Sequence, residues 1–353
     1  MANRIFDLKE TKGSFQCKGI VSGVEKERFY TDKKTQTGKD FRAVNFGCEY
    51  NKTQTIFMNL SGMPQPEVYF SKKNQNTGKT ETKKIAWANR NKFNEEGWNM
   101  IGVKLGLTKT TDNDGKTVND RKTMHAFDAC EYIKKNLKDD ASVFVKGVID
   151  FSSYTDKEGN VRRSVKYVPN QVSLCQDVDF GDYNENNKPT HDFTQTIVYT
   201  GIEKEQENEK NTGRYVVTAK IVTWSDIVDT QFIIINDKLA NQFRKNLKPY
   251  NAITVHGRIE VTHSVQEEDD DCWGESNSMN AVTAPTKTEM IITGATGSSI
   301  DKETYTEKNV AEAIKKIRAS KTAEQNFSGK SNDDDDDTSD WGEVDEDDGD
   351  EPW

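Results

Sequence analysis

The feature that most constrains the fold is an internal duplication. Residues 15–27 (FQCKGIVSGVEKE) match residues 193–205 (FTQTIVYTGIEKE) without a gap, at an offset of 178. The tetrapeptide KNLK at residues 135–138 recurs at residues 245–248, at an offset of 110. Because repetition along a chain is the mark of a repeated structural unit, two copies of one fold are predicted. The offsets differ by 68, so the first copy carries about 68 extra residues between its early strands and its helix.

The order of predicted elements within each copy indicates a particular barrel. In the second copy, alternation and breaker residues predict a helix at about 238–246 and strands at about 193–203, 214–223, 230–235, 253–262 and 289–293. A helix between the third and fourth of five strands is the order of a Greek-key OB barrel. Gly147 and Gly257 each lie in a fourth strand whose apolar residues alternate, and Gly23 and Gly201 lie where a first strand needs a bulge or sharp coil. The predicted fold class is mainly β, with two tandem OB-like five-stranded Greek-key barrels.

The chain is expected to divide into five segments. These are a first OB-like domain at 1–176 with a basic and aromatic insertion at about 61–122, a linker at 177–192, a second OB-like domain at 193–296, a C-terminal helix at 297–327 and a disordered acidic tail at 328–353. Thr304 and Glu307 have the spacing of a capping box for that helix. Its apolar stripe, through Val310, Ile314 and Ile317, is predicted to dock on the body of the protein.

The composition indicates a soluble protein. Hydrophobic residues make up 33% of the chain, and no apolar run approaches the roughly 20 residues that cross a bilayer. The first ten residues, MANRIFDLKE, lack the apolar stretch of a signal peptide, so we expect a cytoplasmic protein with no membrane partner. The scattered cysteines are expected to be reduced thiols, and they are Cys17, Cys48, Cys130, Cys175 and Cys272.

The acidic charge is concentrated in a tail. Residues 332–353 contain thirteen Asp and Glu, no Lys or Arg, and two tryptophans. Without this segment the net charge changes from -10 to +3. So polar a segment cannot bury enough apolar surface to fold, and it is predicted to stay a mobile polyanion with an aromatic tip.

The remaining charge is divided unequally between the copies. Residues 13–176 contain 28 Lys and Arg against 19 Asp and Glu, whereas residues 193–296 contain 10 against 15. Cations that neutralise phosphates supply most nonspecific affinity for nucleic acids, so the first copy is the candidate binding domain. The second copy, with EEDDD at 267–271, is more typical of a protein-contact or structural module.

Three segments of the first copy combine cations with aromatic rings, as single-strand binders do. The candidates in the first loop are Phe29, Tyr30, Lys33, Lys34, Lys39, Phe41 and Arg42. Those in the insertion, which is expected to form a β-ribbon or flap over the barrel groove, are Tyr69, Phe70, Lys72, Lys73, Lys79, Lys83, Lys84, Trp87, Arg90, Lys92 and Phe93. Those in the last hairpin are Tyr154, Arg162 and Arg163. For any single residue the alternative is an ordinary one, a solvated lysine or a core aromatic.

Motifs of catalysis or metal binding are not supported. Gly78 and Lys79 mimic the end of a phosphate-binding loop, but Lys73 stands where its first glycine is required. The four histidines show no metal-binding spacing, and no nucleophile motif occurs. The sequence therefore predicts a protein that is not an enzyme and has no cofactor or metal.

The predicted barrels together with the tail DDDDDTSDWGEVDEDDGDEPW resemble a single-stranded DNA-binding protein of the bacteriophage replication type. The resemblance implies that the tail occupies the basic groove in the absence of DNA and recruits replication or recombination enzymes when DNA displaces it. The implied partner-binding residues are Trp341, Asp350, Glu351, Pro352 and Trp353. Bacterial homotetrameric members carry one barrel per chain, so site size and oligomeric state are not carried over.

The predicted function is sequence-tolerant binding of single-stranded DNA in phage DNA replication, recombination or repair, in the bacterial host cytoplasm if the chain is phage-encoded. Two alternatives remain open from the sequence. One is a strand-annealing protein or recombination mediator built on the same barrels. The other is a protein-protein adaptor with a DNA-mimicking tail. A preference for DNA or RNA is also open.

Overall fold

A computed structural model describes residues 4–75, 77–155, 160–182, 184–207, 210–263 and 286–328. Over these residues the chain is mainly β, with sixteen strands and three α-helices, which confirms the predicted class and a C-terminal helix. The chain forms two compact units. The first-copy unit comprises residues 13–150 and 166–193, and the second-copy unit comprises the described residues of 4–12, 151–165 and 194–328. The predicted acidic tail and the EEDDD segment lie outside the described residues.

Five strands of the first copy pair in a closed cycle, with one helix inserted after the third. The elements of the first copy are β1 (Gly13–Ser22), β2 (Tyr30–Lys34), β3 (Asp40–Glu49), β4 (Thr55–Gly62), β5 (Glu67–Lys73), β6 (Thr80–Ala86), β7 (Asn99–Met100), β8 (Val103–Thr111), β9 (Thr117–Met124), α1 (Ala126–Asn136), β10 (Ser142–Thr155) and β11 (Val161–Leu174). The cycle runs β1, β3, β4, β11, β10 and back to β1. Its β4–β11 pairing is parallel, with Tyr167 opposite Met58.

The insertion between β4 and α1 forms two parts. Strands β5, β6 and β7 form a separate three-stranded sheet. Strand β8 instead pairs in parallel with β11 and antiparallel with β9. The expectation of a single ribbon or flap is therefore wrong for the second part. The physical reason is apolar burial, because Val103, Leu105 and Leu107 of β8 are all buried and require a core against which to pack.

The second copy repeats the same cycle of pairings. Its elements are β12 (Thr190–Glu207), β13 (Lys210–Val222), β14 (Ile227–Ile234), α2 (Asp237–Asn246), β15 (Ala252–His263), β16 (Thr286–Asp301) and α3 (Glu307–Ser328). The cycle runs β12, β13, β14, β16, β15 and back to β12, and the β14–β16 pairing is parallel. All five strands and the helix predicted for this copy are present, and the last strand extends well beyond its predicted end.

Equivalent positions of the two copies make equivalent hydrogen bonds. Asp140 and Tyr250 lie 110 residues apart, and both adopt a positive φ, of 63° and 70°. The Asp140 N–H donates to the carbonyl of Val21 at 3.0 Å, and the Tyr250 N–H donates to the carbonyl of Tyr199 at 2.7 Å. Val21 and Tyr199 are 178 residues apart. In each copy the turn after the helix therefore donates a hydrogen bond to the first strand. The two donors are related by the offset of 110 and the two acceptors by the offset of 178.

The glycines singled out from the sequence lie at close approaches and turns. A Cβ on Gly147 would overlap the carbonyl of Val168, and one on Gly257 would overlap the carbonyl of Ile291. Gly201 lies at a register shift in the β12–β13 pairing, as expected for a bulge. Gly23 follows β1 with a φ of 82°, in the left-handed region that favours glycine.

The C-terminal helix packs on the second-copy unit. Its residues Val310, Ala313 and Ile317 are buried in one cluster with Phe6 and Leu8. The predicted docking of the apolar stripe is confirmed, and Ile314 packs at the edge of the cluster. The predicted capping box is wrong, because residues 297–301 continue β16 and the helix begins only at Glu307. The Thr306 hydroxyl accepts the cap hydrogen bond from the Asn309 N–H at 3.3 Å.

The N-terminal segment belongs to the second-copy unit, although the sequence placed it with the first domain. The Thr11 N–H donates to the carbonyl of Val222 at 2.9 Å. In return, the Thr11 hydroxyl accepts from the Val222 N–H at 2.9 Å. These bonds and the buried Phe6 and Leu8 pack residues 4–12 on the same unit as α3.

Candidate nucleic-acid interface

The outer surface of strands β2, β3 and β4 forms one continuous face. Val44, Phe46 and Cys48 of β3 point inward and are at most 1% exposed, so the alternate residues lie on the outer face, where Asn45 is partly accessible while Ala43 and Gly47 are covered. Residues directly opposite each other on antiparallel strands share a face. We call this surface the β2–β4 face and define it by the cross-strand pairs Lys33–Phe41, Asn45–Asn59 and Gly47–Phe57.

Phe57 is the most prominent side chain of the β2–β4 face. Its side chain is 62% exposed, while its neighbours Ile56 and Met58 are buried at 1%. The residue opposite is Gly47, which has no side chain to cover the ring. An exposed flat ring of this kind can stack on a nucleic-acid base. The sequence reasoning missed Phe57, although the period-two pattern around it carried the signal.

An amide pair lies beside the exposed ring. The Asn59 side-chain amide donates to the side-chain carbonyl of Asn45 at 2.5 Å, and the Asn45 amide donates to the backbone carbonyl of Arg28 at 3.3 Å. Both side chains are partly accessible. Amides with accessible donors and acceptors can hydrogen-bond the edges of unpaired bases, so the face combines stacking with hydrogen-bonding capacity.

Several predicted contact residues instead form an internal cluster at the start of α1. The Arg42 guanidinium lies 4.1 Å from the centre of the Phe127 ring, and the Arg90 guanidinium lies 3.8 Å from that of Trp87. The Trp87 and Phe127 rings are themselves 6.0 Å apart. His125 contacts the same indole edge-on, with 4.9 Å between the ring centres. The cluster packs the insertion against the helix.

Carboxylates neutralise both arginines of this cluster. Arg42 pairs with Asp32 at 3.0 Å and with Glu131 at 2.7 Å. Arg90 makes two hydrogen bonds to Asp128, at 2.7 and 2.9 Å. Bidentate pairs of this kind fix geometry strongly. Arg42, Arg90 and Trp87, which the sequence suggested as DNA contacts, are thus engaged within the protein.

His125 caps the helix in its neutral form. Its Nδ1 atom accepts a hydrogen bond from the Phe127 N–H at 3.2 Å, which requires that nitrogen to be unprotonated. Burial lowers the pKa of His125 below its ordinary value of 6.5. The carboxylate of Asp128 opposes this shift, and the Arg90 guanidinium reinforces it. The lowered pKa keeps the ring neutral near pH 7.

The first loop positions Tyr30 beside charged groups. The Tyr30 hydroxyl donates to Asp32 at 3.1 Å, and the Lys134 ammonium lies 4.1 Å from the ring centre. Burial and the Asp32 hydrogen bond raise the pKa of Tyr30 to about 12. Lys34 pairs with Asp40 at 2.7 Å. The remaining lysines of this loop, Lys33 and Lys39, are exposed.

The sheet of β5, β6 and β7 carries its own cation and ring cluster. The Lys83 ammonium pairs with Glu95 at 2.6 Å and lies 5.0 Å from the centre of the Phe93 ring. On the neighbouring position Lys84 pairs with Glu67 at 3.3 Å and lies 5.6 Å from the Tyr69 ring. The Nζ of Lys72 donates to the backbone carbonyl of Glu96 at 3.0 Å. The other candidate lysines of this region, Lys73, Lys79 and Lys92, are exposed.

The prediction that Phe29 and Phe70 stack on bases is wrong. Phe29 is 6% exposed and Phe70 is 4% exposed, so neither ring presents a face to a base. Phe70 packs against Phe93, with 4.6 Å between ring centres. The basic residues around both rings made them look like surface residues, but Phe29 is the buried last residue of a turn of 3-10 helix and the alternation of β5 places Phe70 inward.

The remaining predicted contacts lie elsewhere. Tyr154, Arg162 and Arg163 fall within residues 151–165, which belong to the second-copy unit. Both arginines are exposed, and Tyr154 is partly buried. The predicted partner-binding residues of the tail, from Trp341 to Trp353, lie outside the described residues.

Within the part of the chain that the structure describes, no three His, Cys, Asp or Glu side chains are grouped to hold a metal ion. Nor does any helix there combine the length and the apolar character that a membrane crossing requires.

These features define a mainly β chain of two equivalent five-strand cycles, one of which bears an exposed aromatic ring on its outer face. The chain belongs to the YorF family, whose model matches residues 72–330. Comparison with curated proteins gave no match.

Two solved structures are similar to the chain at low identity. One is the wild-type single-stranded DNA binding protein from Thermus aquaticus, with 10% identity and a TM-score of 0.36 over 82% of this chain and 93% of that one. The other is a deletion mutant of the same protein, with 10% identity and a TM-score of 0.37 over 81% and 94%. Similarities this low decide neither the fold nor the function.

Proposed function

We propose that the protein binds single-stranded DNA with little dependence on base sequence and catalyses no reaction. The binding surface is the β2–β4 face of the first-copy unit. The observation that carries the proposal is Phe57, an aromatic ring 62% exposed in the middle of a strand, opposite a glycine. Stacking a base on such a ring contributes about 1–3 kcal/mol and accepts every base, because all bases have a π-face.

Each five-strand cycle is an OB-like barrel in this proposal. The support is the pairing order, with a parallel contact between the third and fifth strands of each copy and a helix between the third and fourth. In an OB barrel the outer surface of the second and third strands binds oligonucleotides. Strands β3 and β4 hold those places in the first copy, and they carry Phe57, Asn45 and Asn59.

Charge favours the first copy over the second. Residues 13–176 carry nine more basic than acidic residues, whereas residues 193–296 carry five more acidic than basic ones. A phosphate backbone is attracted by the first balance and repelled by the second. The exposed Lys33 lies on β2 within the β2–β4 face, and the exposed Lys39 lies in the turn between β2 and β3.

The proposed cellular role is to protect single strands during phage DNA replication, recombination or repair in the bacterial host cytoplasm. The acidic tail competes with DNA for the basic surface and recruits enzymes through Trp341 and the terminal Asp350 to Trp353. Composition supports this role, since thirteen carboxylates with two tryptophans suit both electrostatic competition and docking better than solubility alone.

The experiment is fluorescence anisotropy with a labelled oligo-dT and the full chain. Phe57→Ala is expected to weaken binding by about 1–3 kcal/mol, roughly 5- to 150-fold in Kd. Trp224→Ala is the matched control, because Trp224 is an aromatic residue 55% exposed on the second-copy unit. Its removal should leave Kd unchanged. Equal affinity for the Phe57 variant and the parent would refute the assignment of the face.

A further inference from the structure

We propose that the groove beside the β8–β9 hairpin is a second contact site for the phosphate backbone of the bound strand. The inference rests on the proposed function and extends its site. The groove has an open volume of about 600 Å³, and its lining includes Lys109, Thr117, Asn119, Arg121 and Gln176. None of these residues was among the candidates that the sequence suggested.

The register of the hairpin brings the polar residues together. Lys109 lies directly opposite Asn119 and shares its face. Thr117 and Arg121 are two residues to either side of Asn119, so the same face carries all four. The Asn119 side-chain amide donates to the carbonyl of Leu174 at 2.7 Å, which joins the hairpin to the end of β11. The groove is therefore a built feature of the first-copy unit.

The opposite face of the hairpin is occupied by contacts within the protein. The Thr108 hydroxyl lies 2.9 Å from the hydroxyl of Tyr132 on α1. Asp120 pairs with Lys122 at 3.0 Å. Asp120, the acidic residue next to Arg121 in sequence, therefore lies on the face toward α1. Its charge is neutralised there by Lys122, away from the groove.

The groove cations differ from those at the start of α1. Among the described residues, neither Lys109 nor Arg121 has a carboxylate within ion-pairing distance, whereas Arg42 and Arg90, and Lys83 of β6, each have at least one. Both groove cations are exposed. Unpaired cations keep their full attraction for an anion, and the neighbouring amides and hydroxyl supply donors for phosphate oxygens. The chemistry fits a phosphodiester backbone, with little capacity to read bases.

The distance along β11 determines how long a DNA strand must be to reach the groove. Tyr167 of β11 lies opposite Met58, beside Phe57, and the groove begins at Leu174. Seven residues of strand at about 3.3 Å each separate these levels by roughly 23 Å. A short oligonucleotide held at Phe57 does not reach the groove, whereas a strand near the upper end of the usual range of about 4–16 nucleotides per barrel does.

The test compares oligo-dT of about 3 and about 20 nucleotides, which bracket that range. The double variant Lys109→Ala/Arg121→Ala is measured in the full chain by fluorescence anisotropy. Kd for the long oligomer is expected to rise about five- to tenfold at low salt, and the slope of log Kd against log salt to fall by about 1.4, at about 0.7 per lost phosphate contact. Kd for the short oligomer should change less than about twofold, because that strand does not reach the groove.

The control is Lys302→Ala/Lys308→Ala, which removes the same charge from exposed positions of the second-copy unit. It should leave both oligomers unaffected. A long-oligomer Kd that matches this control, or an equal loss on both lengths, would overturn the groove alone. If the parent protein binds neither oligomer at low salt, the proposed function fails and the groove proposal fails with it.

Discussion

The two copies share one order of strands but differ in the side chains on their equivalent outer faces. Phe57 in the first copy has Gln231 as its counterpart in the second. In the first copy Phe57 lies opposite Gly47 of β3, which pairs with β1. In the second copy Gln231 lies opposite Thr218 of β13, which pairs with β12, and the duplication aligns β12 with β1. An exposed ring on one copy thus corresponds to an exposed amide on the other.

The second copy also neutralises and covers its outer surface. Lys220 pairs with Asp229 across β13 and β14 at 2.5 Å, and Arg214 pairs with Glu289. Further along, Val222 and Ile227 are buried in the cluster that holds α3 and the N-terminal segment. The first copy leaves Phe57 exposed on this face, and the second copy uses the equivalent face to pack residues 4–12 and α3. Under the proposed function, this difference assigns DNA binding to the first copy and the packing of residues 4–12 and α3 to the second.

The largest expected effect concerns what the copies share. Gly147→Ala and Gly257→Ala each place a Cβ against a backbone carbonyl and should destabilise the protein by about 3 kcal/mol. Urea unfolding measures the change. Gly297→Ala, where nothing lies within 4 Å of the added Cβ, is the control. A loss at only one of the two central glycines would show that the copies are not equivalent there.

Exchanging the counterparts tests the difference between the copies. Phe57→Gln should weaken oligo-dT binding by about 1–2 kcal/mol, because the stacking ring is lost while the strand is kept. Gln231→Phe should not restore or raise affinity, since the acidic balance of the second copy still repels phosphates. Isothermal titration measures both variants. Stronger binding by Gln231→Phe would show that a ring alone makes a site.

Deleting residues 332–353 removes thirteen carboxylates from the chain. Affinity for oligo-dT should rise a few-fold at low salt and approach the parental value at high salt, because screening weakens competition by the tail. Anisotropy across a salt series measures it. An unchanged Kd at low salt would remove the proposed competition.

The smallest effect concerns the cap of α1, where the second copy has Asn236 in place of His125. The lowered pKa of His125 means that the unfolded chain binds more protons near pH 6.5. Its stabilising contribution is therefore present above pH 6.5 and is lost as the pH falls through the lower folded pKa. His125→Asn should keep the cap and flatten this part of the stability profile, measured by urea unfolding at several pH values. A profile identical to that of the parent would contradict the assignment.

Local patterns predicted much of the fold. The two offsets, the order of strands and the glycines at close approaches are all visible over a few residues, because alternation and breakers act locally. Pairings between distant segments were not visible. The junction of β8 with β11, the docking of residues 4–12 and the membership of 151–165 all depend on long-range contacts.

The candidate site was predicted less well than the fold. The sequence ranked residues by the density of lysines and rings, and this density does not show which cations meet carboxylates. Arg90 pairs with Asp128, which is 38 residues away, and Lys83 pairs with Glu95 in the segment that follows β6. Phe57 was overlooked because no lysine adjoins it, and the nearest lysines in sequence are Lys52 and Lys72.

Hydrogen exchange on the full chain, with and without saturating oligo-dT, most directly tests whether unpaired DNA lies across β3 and β4. Bound DNA should slow amide exchange in residues 40–62 and leave the equivalent residues 210–234 unchanged. Slower exchange in residues 210–234 with none in 40–62 would contradict the division of roles between the copies.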